Sequence, residues 1–334
     1  MFVFYYLKDG GSRCGIHFRG SEIRLEPFFE YAFRSIRLQV FSFGGYCSGE
    51  TVDPEQPIDI HMLDTRNPGG YSSSNDEMEP LRSLPYQRYG HTVCAYRGRA
   101  YLWGGRNDDY GASSTLHEFD PVLLRWRIVP VEGRVPPARD GHSAVVVGDR
   151  MFLFGGFEED LQRFSQETYV FDFLTNRWSE FNTTGQPPLW RDFHTAVAID
   201  SKMYIFGGRS DYTGQVSETF HSTRDMYDER LKALDLRTGE WSDPICNGVG
   251  PTGRRSHSAW TYGGKMYIFG GYLGTQNMHY DDLFSFDPST NHWEKIKMFA
   301  ALRCKPGSPH SGGFQLRSND RIVDCSIFPD FELF

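Results

Sequence analysis

Short apolar runs, each closed by glycine or by a polar break, succeed one another along the chain. Between residues 142 and 181 the runs are "HSAVVV", "MFLFGG", "TYVFDF" and the stretch from Trp178 through Phe181. Runs of this length separated by turn residues predict short strands, four to a unit. "MYIFGG", at Met203 and again at Met266, is apolar at consecutive positions and so on both faces of a strand. Such a strand must be covered on both sides. No apolar repeat at helical spacing is sustained, so the pattern predicts an all-β fold. Composition agrees, with 35 glycines, 18 prolines and 16% aromatic residues.

The runs belong to a repeat. "RYGHTVCAYRGRAYLWGG" from Arg88, "RDGHSAVVVGDRMFLFGG" from Arg139, "RDFHTAVAIDSKMYIFGG" from Arg191 and "RRSHSAWTYGGKMYIFGG" from Arg254 share the form Arg-x-x-His followed by a glycine doublet. His91, His142, His194 and His257 precede Gly104, Gly155, Gly207 and Gly270 by 13 residues each time. Gly105, Gly156, Gly208 and Gly271 complete the doublets, and an earlier one stands at Gly44-Gly45. The period is about fifty residues, which signals stacked blades around an axis rather than one continuous sheet.

Asp120 and Trp126, Asp172 and Trp178, Asp235 and Trp241, and Asp287 and Trp293 are six apart. Trp241 falls 33 residues after Gly208 because "SDYTGQVSETFHSTRDMYDER" adds a loop, and a long loop on a regular unit tends to carry function. The doublets are expected to let a neighbouring backbone or indole ring pack closely. Each Trp is expected to fill the space between blades, with an N–H in need of a partner.

The pattern fails at both ends. Phe28 and Tyr31 stand where the first unit needs Arg and His, and no Trp follows Asp64. After Trp293 the segment "SNDRIVDCSIFPDFELF" offers a strand-like "RIV" and no glycine doublet. The expected organisation is an atypical segment at 1–33 and a propeller at 34–300. Its blades lie at approximately 34–85, 88–135, 139–187, 191–250 and 254–300, with a partial sixth blade or divergent tail at 301–334.

A formal net charge of -8 argues against charge-driven binding to nucleic acid, which needs a basic surface to displace counterions. "MFVFYYL" is too short for a signal-peptide core or a membrane span, so no membrane association is expected. Six cysteines without a C-x-x-C pair suit reduced thiols in the cytoplasm or nucleus, and Asn182-Thr183-Thr184 reads as a chance sequon.

Glycine doublets after β-runs, the downstream Trp and the period resemble kelch repeats, which form β-propellers. More narrowly, "SFGGYCSGE", "WGGRND", "RDGHS", "WRDFH", "RRSHSA" and "YIFGGY" are similar to the kelch domain-containing protein family over residues 38–297. The resemblance implies a kelch-type β-propeller with five recognisable four-stranded blades and an incomplete or atypical sixth. It also implies a substrate receptor of a Cullin-2 RING ubiquitin ligase that reads the C-terminal ends of proteins, often ending in glycine. Members dock on elongin B/C and Cullin-2 through a helical box after the propeller, and no such box is read in residues 301–334.

In a propeller the connections between blades gather at one face. Arg88, Arg139, Arg191 and Arg254 sit in those connections, with Arg255, Arg209 and Arg106 beside them. Guanidinium groups converging there would suit a terminal carboxylate, which takes two parallel charge-assisted hydrogen bonds from one planar fork. "GRRSHS" is the expected clamp, with Arg139 and Arg191 next, and an Arg254→Glu, Arg255→Glu double change is then expected to abolish binding with the fold intact. The same arginines could instead bridge adjacent blades.

The four His residues occupy one repeat position and are therefore spread around the ring, which suits a structural role better than a metal site. No metal or cofactor is expected. "EED" at 158–160 reads as solvated loop, and no G-x-S-x-G, phosphate-loop or H-E-x-x-H motif is present, so no enzyme is expected. Two other readings stay open: a chromatin-associated propeller of meiotic recombination that contacts chromatin proteins, and a kelch-fold oxidase or epimerase.

Overall fold

A computed structural model describes residues 2–7, 12–17, 38–45, 56–64, 67–73, 84–210 and 225–297. Blades 2 to 5 each run from an inner strand outward. In blade 2 these strands are Tyr89–Tyr96, Arg99–Asn107, His117–Asp120 and Arg125–Ile128. Blade 3 repeats the order with Ser143–Val147, Arg150–Phe154, Thr168–Asp172 and Arg177–Glu180. Blade 4 has Thr195–Ile199, Lys202–Phe206, Lys232–Asp235 and Trp241–Ser242, and blade 5 has Ser258–Tyr262, Lys265–Phe269, Leu283–Asp287 and His292–Ile296. Pairing within each is antiparallel.

Blade 1 is built differently. Leu38–Phe43, Ile60–Asp64 and Asn67–Ser73 form its outer part, while Phe2–Leu7 pairs with Leu38–Phe43 and Ser12–His17 pairs with Phe2–Leu7. Residues 1–33, set apart on sequence, thus supply two strands to the first blade. Strand pairing is made by the backbone, so an extended run can take the inner position without the Arg-x-x-His signature. Ser12–His17 lies between the inner strands of blades 2 and 5, and the inner strands follow one another in a cycle. Phe28, Tyr31, most of the inserted loop and the tail at 301–334 lie outside the described residues.

Hydrophobic burial is divided among the blade interfaces. Between blades 3 and 4, Val145, Phe152, Phe154 and Val170 meet Met203, Ile205, Leu234 and Trp241; three further clusters fill the other interfaces described. Each fully buried Phe or Leu contributes about 1.5–3 kcal/mol. The repeated Trp packs on the aromatic residue that precedes the glycine doublet of the blade before it. The ring pairs are Phe43–Trp126 at 5.4 Å, Trp103–Trp178 at 5.7 Å, Phe154–Trp241 at 5.2 Å and Phe206–Trp293 at 5.8 Å. Contrary to the sequence expectation, the buried indole nitrogens of Trp126, Trp178 and Trp241 make no hydrogen bond. Their value lies in the ring.

The glycine doublet answers to His rather than to indole. A Cβ on Gly207 would fall 2.4 Å from the Arg254 carbonyl and 2.7 Å from Cε1 of His257 in the next blade. One on Gly208 would fall 2.8 Å from Cβ of His194 in its own blade. His142, His194 and His257 each close against two doublets, their own and the previous one, and His91 against its own at Gly105, which accounts for the 13-residue spacing. The imidazole Nε2 of His142, His194 and His257 then meets Thr92, Ser143 and Thr195 of the previous blade at 2.8, 2.8 and 2.7 Å. His91 Nε2 meets the Phe43 carbonyl at 3.0 Å. The repeated Asp is local: Asp120 and Asp172 accept from backbone N–H groups two and three residues on, forming the turn into the outer strand.

A second glycine position, unread in the sequence, seals the rim. Glu132–Gly133 pairs in parallel with Arg177–Trp178, and Asn247–Gly248 with His292–Trp293. Thr184 makes the same bridge to Glu240. The linker entering a blade thus covers that blade's outer edge, which would otherwise template aggregation. A Cβ on Gly248 would fall 2.1 Å from the Trp293 carbonyl, so the close approach depends on glycine.

Gly207→Ala is expected to cost about 3 kcal/mol or more, because a left-handed backbone and a collision add. Gly263→Ala, also at positive φ but with nothing within 4 Å of its Cβ, is expected to cost about 1–2 kcal/mol. Urea denaturation of the pair separates packing from backbone strain. Burial also holds His257 down to about 3 and His142 and His194 well below the ordinary range. Unfolded histidines take up protons near pH 6.5 while these do not, so stability is present above that pH and is lost as pH falls towards 3. A melting temperature that drops between pH 7 and 4, with a smaller drop in His257→Gln, checks this.

Candidate functional site

The four repeat arginines do not line a pocket. Arg88, Arg139, Arg191 and Arg254 are buried, none more than 1% exposed. In each, Nε donates to the carbonyl two residues earlier and Nη1 to the carbonyl of the first doublet glycine: Gly104, Gly155, Gly207 or Gly270. Three also hold an acid, Glu158 on Arg139, Asp228 on Arg191 and Asp282 on Arg254. Burial pushes Arg88 and Arg191 down to about 10, which leaves both charged at neutral pH. These guanidinium groups are buried and bonded within the blades, so their expected role as a carboxylate clamp is corrected, and Arg254→Glu would disrupt the blade rather than spare it.

Glu158 is corrected with them. It is fully buried between Arg139 and Arg163, not solvated.

The repeats differ in the connections between blades, at the positions that follow the arginine. Directly after the repeat arginine come Tyr89, Asp140, Asp192 and Arg255. They pair with the residues directly after the glycine doublet: Arg106, Phe157, Arg209 and Tyr272. Next come Gly90, Gly141, Phe193 and Ser256, all with positive φ. Their backbones form a hydrogen-bonded chain from blade to blade, Gly141 N–H to Gly90 O at 2.8 Å, Phe193 N–H to Gly141 O at 2.7 Å and Ser256 N–H to Phe193 O at 2.9 Å. That chain fixes how closely the blades approach the axis.

Charges at this level are mixed. Arg209 grips Asp192 with two hydrogen bonds, at 3.2 and 2.6 Å, and its pKa is raised: burial opposes its charge, but Asp192 outweighs that. Arg106 lies 3.6 Å from Glu159 and keeps a buried Nε without a hydrogen-bond partner. Asp140 is 3% exposed, and its Oδ1 has no partner. Arg255 sits between two rings, 5.2 Å from Tyr272 and 6.0 Å from Phe193, with Tyr227 hydrogen-bonded beside it. Its Nε is unpartnered, and it forms no ion pair among the described residues. Tyr227 comes from the end of the inserted loop, which Met226 pins to Ser210 and Asp228 pins to Arg191.

Of the expected arginines, then, the structure leaves Arg106, Arg209 and Arg255 partly accessible and removes the other four. Among the described residues no group of three or more His, Cys, Asp or Glu side chains could hold a metal ion, and no helix is long and apolar enough to cross a membrane. Sequence reading missed Asp140, Asp192, Phe193 and Tyr272. The available signal was variation from blade to blade at their positions inside a repeating frame.

Residues 90–312 match the KLHDC2/KLHL20/DRC7 Kelch-repeats domain. Kelch domain-containing protein 3 of Homo sapiens is 40% identical over 293 residues, which cover 85% of this chain and 73% of that protein; the Bos taurus protein matches equally. The chain belongs to the kelch-repeat family. Acyl-CoA-binding domain-containing protein 4 of Arabidopsis thaliana is 29% identical over 252 residues, covering 73% of this chain and 34% of that protein. Family membership and the sheet pattern make this a kelch β-propeller, and they point to a protein-binding role.

The two classes of arginine in this kelch propeller should respond differently to truncation. Arg139→Ala leaves Glu158 buried beside a lost partner and is expected to cost about 3–5 kcal/mol. Arg106→Ala removes a looser, part-exposed pair and is expected to cost less than about 1 kcal/mol. Denaturant midpoints of the two variants, measured side by side, check the assignment.

Proposed function

We propose that this propeller is the substrate-recognition part of a Cullin-2 RING ubiquitin ligase and holds the C-terminal end of a guest protein at its mouth. Arg255 carries the reading: a guanidinium framed by Phe193, Tyr272 and Tyr227, with an unpartnered Nε and no ion pair among the described residues. A planar cation with donors to spare suits a carboxylate, and flanking rings restrict its rotamers so that less freedom is lost on binding. Arg209 and Arg106 add positive charge nearby, although each already faces an acid. A terminal glycine fits such a site because the chain end can approach the crowded ring of Gly141, Phe193 and Ser256 without a Cβ. Kinship with Kelch domain-containing protein 3 supports placing the function in this family.

Peptides ending in glycine, with free and with amidated carboxyl ends, test the reading by isothermal titration. The free acid is expected to bind, and Arg255→Ala to weaken it about ten- to a hundredfold, the worth of a lost charge-assisted hydrogen bond or two, with an unchanged melting temperature. Equal affinity for acid and amide would remove the carboxylate from the account. Tight binding of basic histone-like peptides regardless of their carboxyl end would favour the chromatin reading instead.

A further inference from the structure

Asp140 is the buried charge-bearing group at the mouth that neither the blade staple nor the proposed carboxylate contact uses. It follows Arg139 in the connection into blade 3, and its Cβ lies where a Cβ on Gly90 of blade 2 would come within 2.9 Å. Asp192 leans over Gly141 in the same way one blade on, its Cβ 3.1 Å from the corresponding point. The two carboxyl groups are thus successive vanes of one pinwheel, and Arg255 is the next, over Phe193. Asp192 is held by Arg209 through both oxygens. Asp140 has no such partner: its Oδ1 is unbonded, and Arg106, the nearest cation on blade 2, faces Glu159.

We propose that Asp140 is a charge switch for the recognition mouth: with its proton it admits an anionic chain end, and without it a negative charge beside Arg106 and Arg209 weakens that end's binding. The inference rests on the carboxylate reading of the mouth. Burial, and after it the Asp192 carboxylate, push Asp140 up to about 8; Arg106 from blade 2 and Arg209 from blade 4 pull the other way, and Glu159 of its own blade adds to the rise. Asp140 is therefore mostly neutral at pH 7 and ionised above pH 9. It acts at a distance, through the field at the mouth, so its burial does not prevent the effect.

The test uses the whole chain and two readouts. Carbon-13 NMR of labelled aspartate carboxyls in the unliganded protein is expected to show one group titrating near pH 8, absent from Asp140→Asn. Affinity for the free-acid glycine peptide is expected to fall about fivefold as pH rises from 6.5 to 9.5 in wild type and to stay level in Asp140→Asn, with no step for the amidated peptide. An ordinary carboxyl titration below pH 5 overturns the switch whether or not peptide binds. A step of equal size in wild type and Asp140→Asn overturns it as well. A titration near pH 8 with no binding of the free acid at any pH overturns the carboxylate reading, and the switch's role falls with it while the raised titration remains.

Discussion

Everything in this propeller depends on an imidazole lying against a glycine of the blade before it. The ring can sit there only because no Cβ intervenes, and once there it must be satisfied by a hydroxyl or carbonyl of that same earlier blade. The aromatic residue before the doublet packs on the imidazole edge, at 5.0 to 5.5 Å in the three pairs formed with Trp103, Phe154 and Phe206, and shares its other side with the repeated Trp. The arginine three residues earlier then ties the connection to the doublet carbonyl. One contact thus sets the spacing of His, Gly, Trp and Arg along the chain.

This explains why the architecture was legible in the sequence. A staple repeated at successive interfaces is written by the same residues at the same intervals, and the thirteen-residue step between His194 and Gly207 is such an interval. The two inner strands of the first blade were not legible for the converse reason. Phe2–Leu7 joins Leu38–Phe43 through main-chain pairing, which leaves no residue signature.

The site was misread through the same repetition. Arg88, Arg139, Arg191 and Arg254 share a charge and a position, and a shared position in a ring suggested a shared pocket; burial directs them instead into the blades they connect. The position directly after each arginine varies instead, as Tyr89, Asp140, Asp192 and Arg255. Their meaning is set across blades: Asp140 is read by Arg106 and Asp192, and Arg255 by a tyrosine delivered from an insertion. No local stretch contains those relations. Repetition here marks what holds the molecule together, and departure from it marks where the molecule can discriminate.

The rim linkers give the fold a direction. Because the strand that covers the edge of blades 3 and 5 precedes their innermost strands in the chain, each of these blades is laced at its periphery before its centre is laid down. A backbone break beside Gly133 or Gly248 would unlace a rim and detach an entry to the axis together. The hairpin tips at Gly148 and Gly263 carry neither lace, with open space around both, so they are the natural seams for circular permutation or for inserting a second domain.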